Sequence, residues 1–230
     1  MNVQHRGKLW YLKNINLFRG MTDVQMQSVE QRTVMREVRR RETLYLPGDA
    51  GDRIYLLKRG VVKISSLGAD GREIILAFLR PGEVFGEEAV LDESPRDHMA
   101  EAYEDALICI IQRREFLDLL RSMPDLGFKV TKLIGLRLKT FRSRVENLLF
   151  KGAPARLAAT LLDLAEQHGV RDDHGTLLPL RLSQQDLASL IGVTRESVNI
   201  ALAEFRRNGL ITLEGRSIRL VRPEGLRAVV

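Results

Sequence analysis

The chain has 230 residues, 44% hydrophobic and 29% charged, enough apolar material for two modest domains. No run of about 18 apolar residues and no apolar signal core are present, so neither a membrane span nor export is expected. With Cys109 as the single cysteine, disulfide frameworks and cysteine-ligated zinc or iron–sulfur sites are excluded, and a reducing cytoplasm is the expected setting. Lys and Arg outnumber Asp and Glu by 36 to 30, a net charge of +6 that favours polyanionic partners, nucleic acid first.

Residues 9–30 read as short helices, with Asp23 as an N-cap after Gly20-Met21-Thr22. From about Arg36 to Ile111 come short strands separated by the turn signals LPGDAGD (46–52), KRG (58–60), SLGADG (66–71) and RPGE (80–83). That spacing predicts an antiparallel barrel or sandwich. Arg114 onward switches to a helical period, and Pro124 suits the first turn of a helix running to about Phe150. Such a helix is a rod on the order of 40 Å. Along it Ile134, Leu138, Phe141, Val145 and Leu148 recur at 4, 3, 4, 3 spacing, a heptad seam that another helix has to cover. The economical cover is the same helix of a second copy; the alternative is packing on the chain's own barrel. The basic residues between Lys129 and Lys151 read as a solvated face, and KGAP (151–154) ends the helix at a hinge.

In LSQQDLASLIGVTRESVNIALAEFRRNGLITLEGRSIRLV (182–221), Ser183 caps a helix whose inner face is Leu187, Leu190 and Ile191. Gly192 supplies a turn, and Thr194 caps a second helix with Val198, Ala201, Leu202 and Phe205 inward. Two capped helices around a glycine turn form a helix-turn-helix, whose second helix normally enters the major groove. At 100° per residue, Glu196, Asn199, Ile200, Ala203 and Arg207 face outward, and Arg195 lies in the first turn. Arg195 can donate twice to guanine O6 and N7, Glu196 can accept from cytosine N4, Asn199 can reach a base or phosphate, and Ile200 can meet a thymine methyl. A hairpin follows around Gly215-Arg216, with Arg216 at its tip placed for a phosphate.

The motifs KRGVVKI (58–64), PGEVFGEEAVLDESPR (81–96), ARLAATLLDLAE (155–166) and VTRESVNIALAEF (193–205) resemble the Crp/Fnr bacterial transcription regulators over nearly the whole chain. The resemblance implies an α+β fold: a cyclic-nucleotide-binding-like β-roll over 1–113, a helical segment with the dimerisation helix over 114–152, and a winged helix-turn-helix over 153–230. By the same resemblance Ser183 and Gln185 touch DNA phosphates while Arg195 and Glu196 read bases. Many members carry arginine at the position of Ile200, so a shifted base preference is expected there.

In relatives that bind cyclic AMP, a Gly-Glu to Arg-Ser/Thr cassette holds the cyclic phosphate and the ribose. Gly86, Glu87, Glu88, Ala89 and Arg96 keep that pattern, but Asp97 stands where the hydroxyl belongs and His98 follows in place of a small residue. A carboxylate about 4 Å from a phosphate repels it by about 4 kcal/mol, unless strand alternation turns Asp97 to the opposite face. On the long helix, Phe141 and Arg142 replace the small hydroxyls offered to adenine. The expectation is a homodimeric, cytoplasmic, sequence-specific regulator on near-palindromic double-stranded DNA, not controlled by cyclic AMP and competent without an effector. Cyclic-nucleotide gating, and a small-molecule sensing module without DNA recognition, are the alternatives. GVRDDHGTLLP (169–179) reads equally as a solvated loop and as the RNA polymerase patch of activating relatives. His5, His98, His168 and His174 are scattered, so no metal or cofactor is assigned. No Ser/His/Asp set, metal-spaced histidines or GxxxxGK[ST] loop points to an enzyme.

Overall fold

The computed structural model describes Leu12 and residues 15–230; apart from Leu12, the helix expected over residues 9–14 lies outside the described residues. After a 3-10 turn at Asn16–Phe18 comes α1 (Asp23–Gln31). Its N-cap is Thr22 rather than Asp23. The Thr22 hydroxyl accepts from the Gln25 amide at 3.3 Å, and the Gln25 side chain accepts from the Thr22 amide at 2.9 Å. Both residues can cap, but only Thr22 has a glutamine three positions on to close the reciprocal box.

Eight strands follow: β1 (Thr33–Val38), β2 (Thr43–Tyr45), β3 (Arg53–Arg59), β4 (Val62–Leu67), β5 (Glu73–Leu79), β6 (Val84–Phe85), β7 (Met99–Ala102) and β8 (Ala106–Gln112). They form two four-stranded sheets of order β1-β8-β3-β6 and β2-β7-β4-β5. β3 shows why its sequence is apolar without alternation. Tyr55 and Leu57 join Val62, Ile64, Phe85, Ala100 and Ile108 in a core drawn from both sheets. Ile54 and Leu56 pack on the opposite face with Phe18, Met26, Phe116 and Leu126. A strand buried on both faces has no polar side to show.

α2 (Arg113–Ser122) and α3 (Pro124–Phe150) come next. The chain divides into two compact units, one of residues up to 66 with 76–137, the other of 67–75 with 138–230. In the second unit, α4 (Ala153–His168) buries Leu157, Ala158, Leu161 and Leu164. The remaining elements are β9 (Val170–Asp172), β10 (Gly175–Leu178), α5 (Gln184–Ile191), α6 (Arg195–Arg207), β11 (Ile211–Glu214), β12 (Ser217–Leu220) and α7 (Pro223–Arg227). α4 packs on α5, α6, α7 and β10, and the strands form one sheet of order β11-β12-β10-β9. Residues 169–179 are therefore chiefly a β-hairpin and not a loop. Thr176 and Leu178 alternate inward, and Thr176 pairs with Leu220, a partner too distant in sequence for local pattern to reveal.

Candidate nucleic-acid interface and effector pocket

The helix-turn-helix is built from reciprocal local bonds. Ser183 Oγ accepts from the Asp186 amide at 3.0 Å and donates to Asp186 Oδ2 at 2.7 Å, while the Ser183 amide donates to the same carboxylate at 2.8 Å. Gly192 ends α5 at φ +65°, a left-handed conformation that glycine adopts without Cβ strain. Thr194 Oγ1 then accepts from the Ser197 amide at 3.2 Å and opens α6. Arg156 on α4 braces the turn, donating to the Ile191 carbonyl at 3.2 Å and the Lys151 carbonyl at 2.8 Å.

α6 buries Val198, Ala201, Leu202 and Phe205 and leaves Arg195, Glu196, Asn199, Ile200, Ala203 and Arg207 exposed. Ile200 is 70% exposed, the one large apolar side chain in that row. Ser183, Gln185 and Thr194 are also exposed, so donors and acceptors occupy the first turns of both helices. Arg216 is at the tip of the β11–β12 hairpin, beside Gly215 at φ +63°. Arg219 ties this hairpin to its neighbours. Its guanidinium pairs with Glu214 and donates to both oxygens of Asp172 at 2.6 Å.

In the first unit, Gly86 at φ +73° opens a 3-10 turn over Glu87–Val90. Arg96 is 5% exposed. Its guanidinium donates to the Gly86 carbonyl at 3.1 Å and to the Arg53 carbonyl, approaches Glu88 Oε2 at 3.4 Å, and lies 4.7 Å over the Tyr45 ring. The Asp97 carboxylate, from which repulsion is expected, is not buried beside Arg96. The Asp97 side chain is 90% exposed, between buried Arg96 and buried His98, where the chain bends just before β7. Nor does Asp97 pair with Arg96; its Oδ1 is 2.6 Å from His98 Nδ1.

The ring of His98 instead occupies buried space, with Nε2 2.8 Å from the Tyr45 hydroxyl and 3.8 Å from Glu88 Oε1. Burial, and then the Glu88 carboxylate, push the Tyr45 hydroxyl above its ordinary pKa, so it stays a donor. The bonds close if Tyr45 donates to Nε2 and Nδ1–H donates to Asp97. Glu87 is buried and paired with Arg137. Glu87 Oε2 and Arg96 Nε are buried without partners among the described residues. Ala89 is buried in the helix-side core.

Sequence pattern did not single out Tyr45 or Arg137. Arg137 also donates to the Val84 carbonyl, and burial draws its guanidinium below the ordinary pKa against the opposing pull of Glu83. The signal for it was position: three residues after Ile134 and four before Phe141, it is a charge on the apolar stripe itself. Of the expected seam, Leu138, Phe141, Val145 and Leu148 are exposed, whereas Ile134 is partly buried against its own unit's core. Phe141 and Arg142 lie in the second unit, exposed, Arg142 3.8 Å from Glu146. Among the described residues no helix is long and apolar enough to cross a membrane and no metal-binding cluster occurs.

Residues 35–123 match the cyclic nucleotide-binding domain, and residues 155–229 the Crp-like helix-turn-helix domain. The chain is 29% identical to a CRP-like cAMP-activated global transcriptional regulator of Mycobacterium tuberculosis, over 94% of this chain and 96% of that one. It is 33% identical to the nitrogen fixation regulation protein FixK of Rhizobium meliloti, over 81% and 82%. Among solved structures, FixK2 from Bradyrhizobium japonicum superposes with a TM-score of 0.76 at 25% identity, covering 86% of this chain and 96% of that one.

Proposed function

The chain belongs to the Crp/Fnr family and is a DNA-binding transcription regulator, and from that premise we propose that it acts as a cytoplasmic homodimer on near-palindromic DNA without cyclic-AMP control. In this reading residues 1–113 are the sensor-like domain, 114–152 the helical segment and 153–230 the DNA-binding domain. Arg195, Glu196, Asn199 and Ile200 face base edges; Ser183, Gln185, Thr194 and Arg216 meet backbone. The observation that carries it is the largely polar exposed face of α6, with Ile200 as its one large apolar side chain, on a helix whose other face buries Val198, Ala201, Leu202 and Phe205. The exposed row Leu138, Phe141, Val145 and Leu148 supports pairing through α3. Against cyclic-AMP control stands His98, whose ring and Tyr45 partner fill space beside Arg96, itself held by two carbonyls and Glu88.

A second reading, cyclic-nucleotide gating, has one observation in its favour: the unpartnered Glu87 Oε2 and Arg96 Nε are the acceptor and donor that a ribose hydroxyl and a phosphate would satisfy. Selection of bound fragments from genomic DNA with ligand-free protein tests the first reading. A palindrome recovered without additive is expected, with preference at one base pair lost on Arg195→Ala. Selection that succeeds only with cyclic AMP or cyclic GMP added establishes the second reading. No sequence preference under either condition would leave a sensing module without DNA recognition. The β9–β10 hairpin, through exposed Asp173 and His174, is the proposed contact for RNA polymerase.

A further inference from the structure

The side chain of Arg195 is already held before any DNA arrives. Its Nε donates to Gln184 Oε1 at 3.2 Å, and its terminal amino groups have no partner among the described residues. Gln184 and Arg195 are the first residues of α5 and α6. Each follows a capping residue whose hydroxyl is bonded into its own helix: Ser183 to Asp186 and Thr194 to Ser197. The two backbones are thus fixed relative to each other within one unit by the Gly192 turn and the Arg156 brace.

We infer that Gln184 is the positioning residue for Arg195, its carbonyl oxygen taking the Nε–H so that the terminal pair of amino groups is presented as the fork that reads guanine O6 and N7. This rests on the reading of α6 as the recognition helix. The chemistry favours an amide in this role. A guanidinium offers two usable edges, and a bond to Nε removes the side edge from competition, leaving the end-on pair for the base. A neutral acceptor orients the group without cancelling the charge that DNA attracts. The nearby carboxylates do not interfere: Asp186 is taken up by the Ser183 cap, and among the described residues no ion pair joins Arg195 to Glu196. Arginine has many rotamers to lose on binding, and a side chain oriented beforehand loses fewer.

The test compares wild type, Gln184→Ala, Gln184→Glu, Arg195→Ala and the Gln184→Ala/Arg195→Ala double variant. Each is titrated on the selected site and on a copy altered at the base pair that Arg195→Ala shows to be read. The readout is the ratio of the two affinities, which cancels any uniform change in attraction to DNA. Gln184→Ala is expected to shrink the ratio about three- to tenfold, a part of what one bidentate arginine contributes. Gln184→Glu, which still accepts from Nε, keeps the ratio while weakening both sites by added negative charge. On the Arg195→Ala background Gln184→Ala changes the ratio no further.

A Gln184→Ala loss spread evenly over both sites, or a Gln184→Glu ratio as low as that of Gln184→Ala, would overturn the inference and make Gln184 a backbone contact. A wild type with no sequence preference would overturn the recognition-helix reading itself, and this inference with it.

Discussion

His98, rather than the carboxylate beside it, takes the buried place next to Tyr45. Asp97 is turned to solvent, and its consequence is indirect: at 2.6 Å from His98 Nδ1 it anchors a ring whose other nitrogen meets Tyr45. If that ring excludes cyclic nucleotide by volume, His98→Ala should turn a flat calorimetric titration with cyclic AMP or cyclic GMP into a measurable isotherm, whereas Asp97→Ser alone should change little. The reverse pattern would restore electrostatic repulsion as the cause. Lys58 poses a separate question of stability. It is 7% exposed, and its Nζ has no hydrogen-bond partner among the described residues. Burial pulls its ammonium down to about 8, against the opposing effect of Cys109. A folded pKa below the ordinary 10.5 means the charged form costs stability, in full below about pH 8 and progressively less as pH rises towards the unfolded value. Lys58→Met should therefore stabilise by about 2–3 kcal/mol at pH 7, with most of the gain gone near pH 10.5. Chemical denaturation at the two pH values checks this, and an equal gain at both would refute it.

At the scale of elements, capped helices and heptad spacing were legible because their signals are local: Ser183, Gly192 and Thr194 act within three or four residues of their partners. What sequence pattern missed depends on distant partners. The β9–β10 hairpin pairs with a strand more than forty residues on, Ile134 faces a core assembled from strands, and the facing of Asp97 is set by which of its neighbours are buried. The Arg219 network is likewise non-local, joining β12 to Asp172 of β9 and Glu214 of β11. Hydrogen bonds from Arg219, the largest cause for both, hold the carboxyls of Asp172 and Glu214 below their ordinary values of 3.8 and 4.5. Depressed carboxyls stabilise the fold above their unfolded pKa values, and that support is lost as pH falls through the folded ones. The melting midpoint of wild type should thus fall more steeply than that of Arg219→Met below about pH 4.5, the two curves converging in acid. Parallel curves would show that the network contributes no pH-dependent stability. A loosened hairpin also moves Arg216, so Arg219→Met should weaken binding to every DNA sequence alike.

For the whole molecule the decisive quantity is the number of copies on the DNA. Leu138, Phe141, Val145 and Leu148 repeat at 3, 4, 3 along α3 and are all exposed in the single chain. A row of large apolar side chains at that period is costly in water, and an identical row on a second helix would match it. Pairing would turn the second half-site contact into an intramolecular event, which raises overall affinity by about 10²–10⁴-fold without a new contact to DNA. Because Phe141 is 60% exposed, Phe141→Asp should leave the fold of each unit intact and, in the proposed pairing, would place two carboxylates against each other. Light scattering should then show a dimer for wild type and a monomer for the variant. In gel-shift titrations the variant should lose about 10²-fold or more in affinity on a full palindrome, with little change on an isolated half-site. A variant that is monomeric yet keeps full affinity for the palindrome would show that each chain reads DNA alone. A variant that remains dimeric would place the contact between copies elsewhere than this helix.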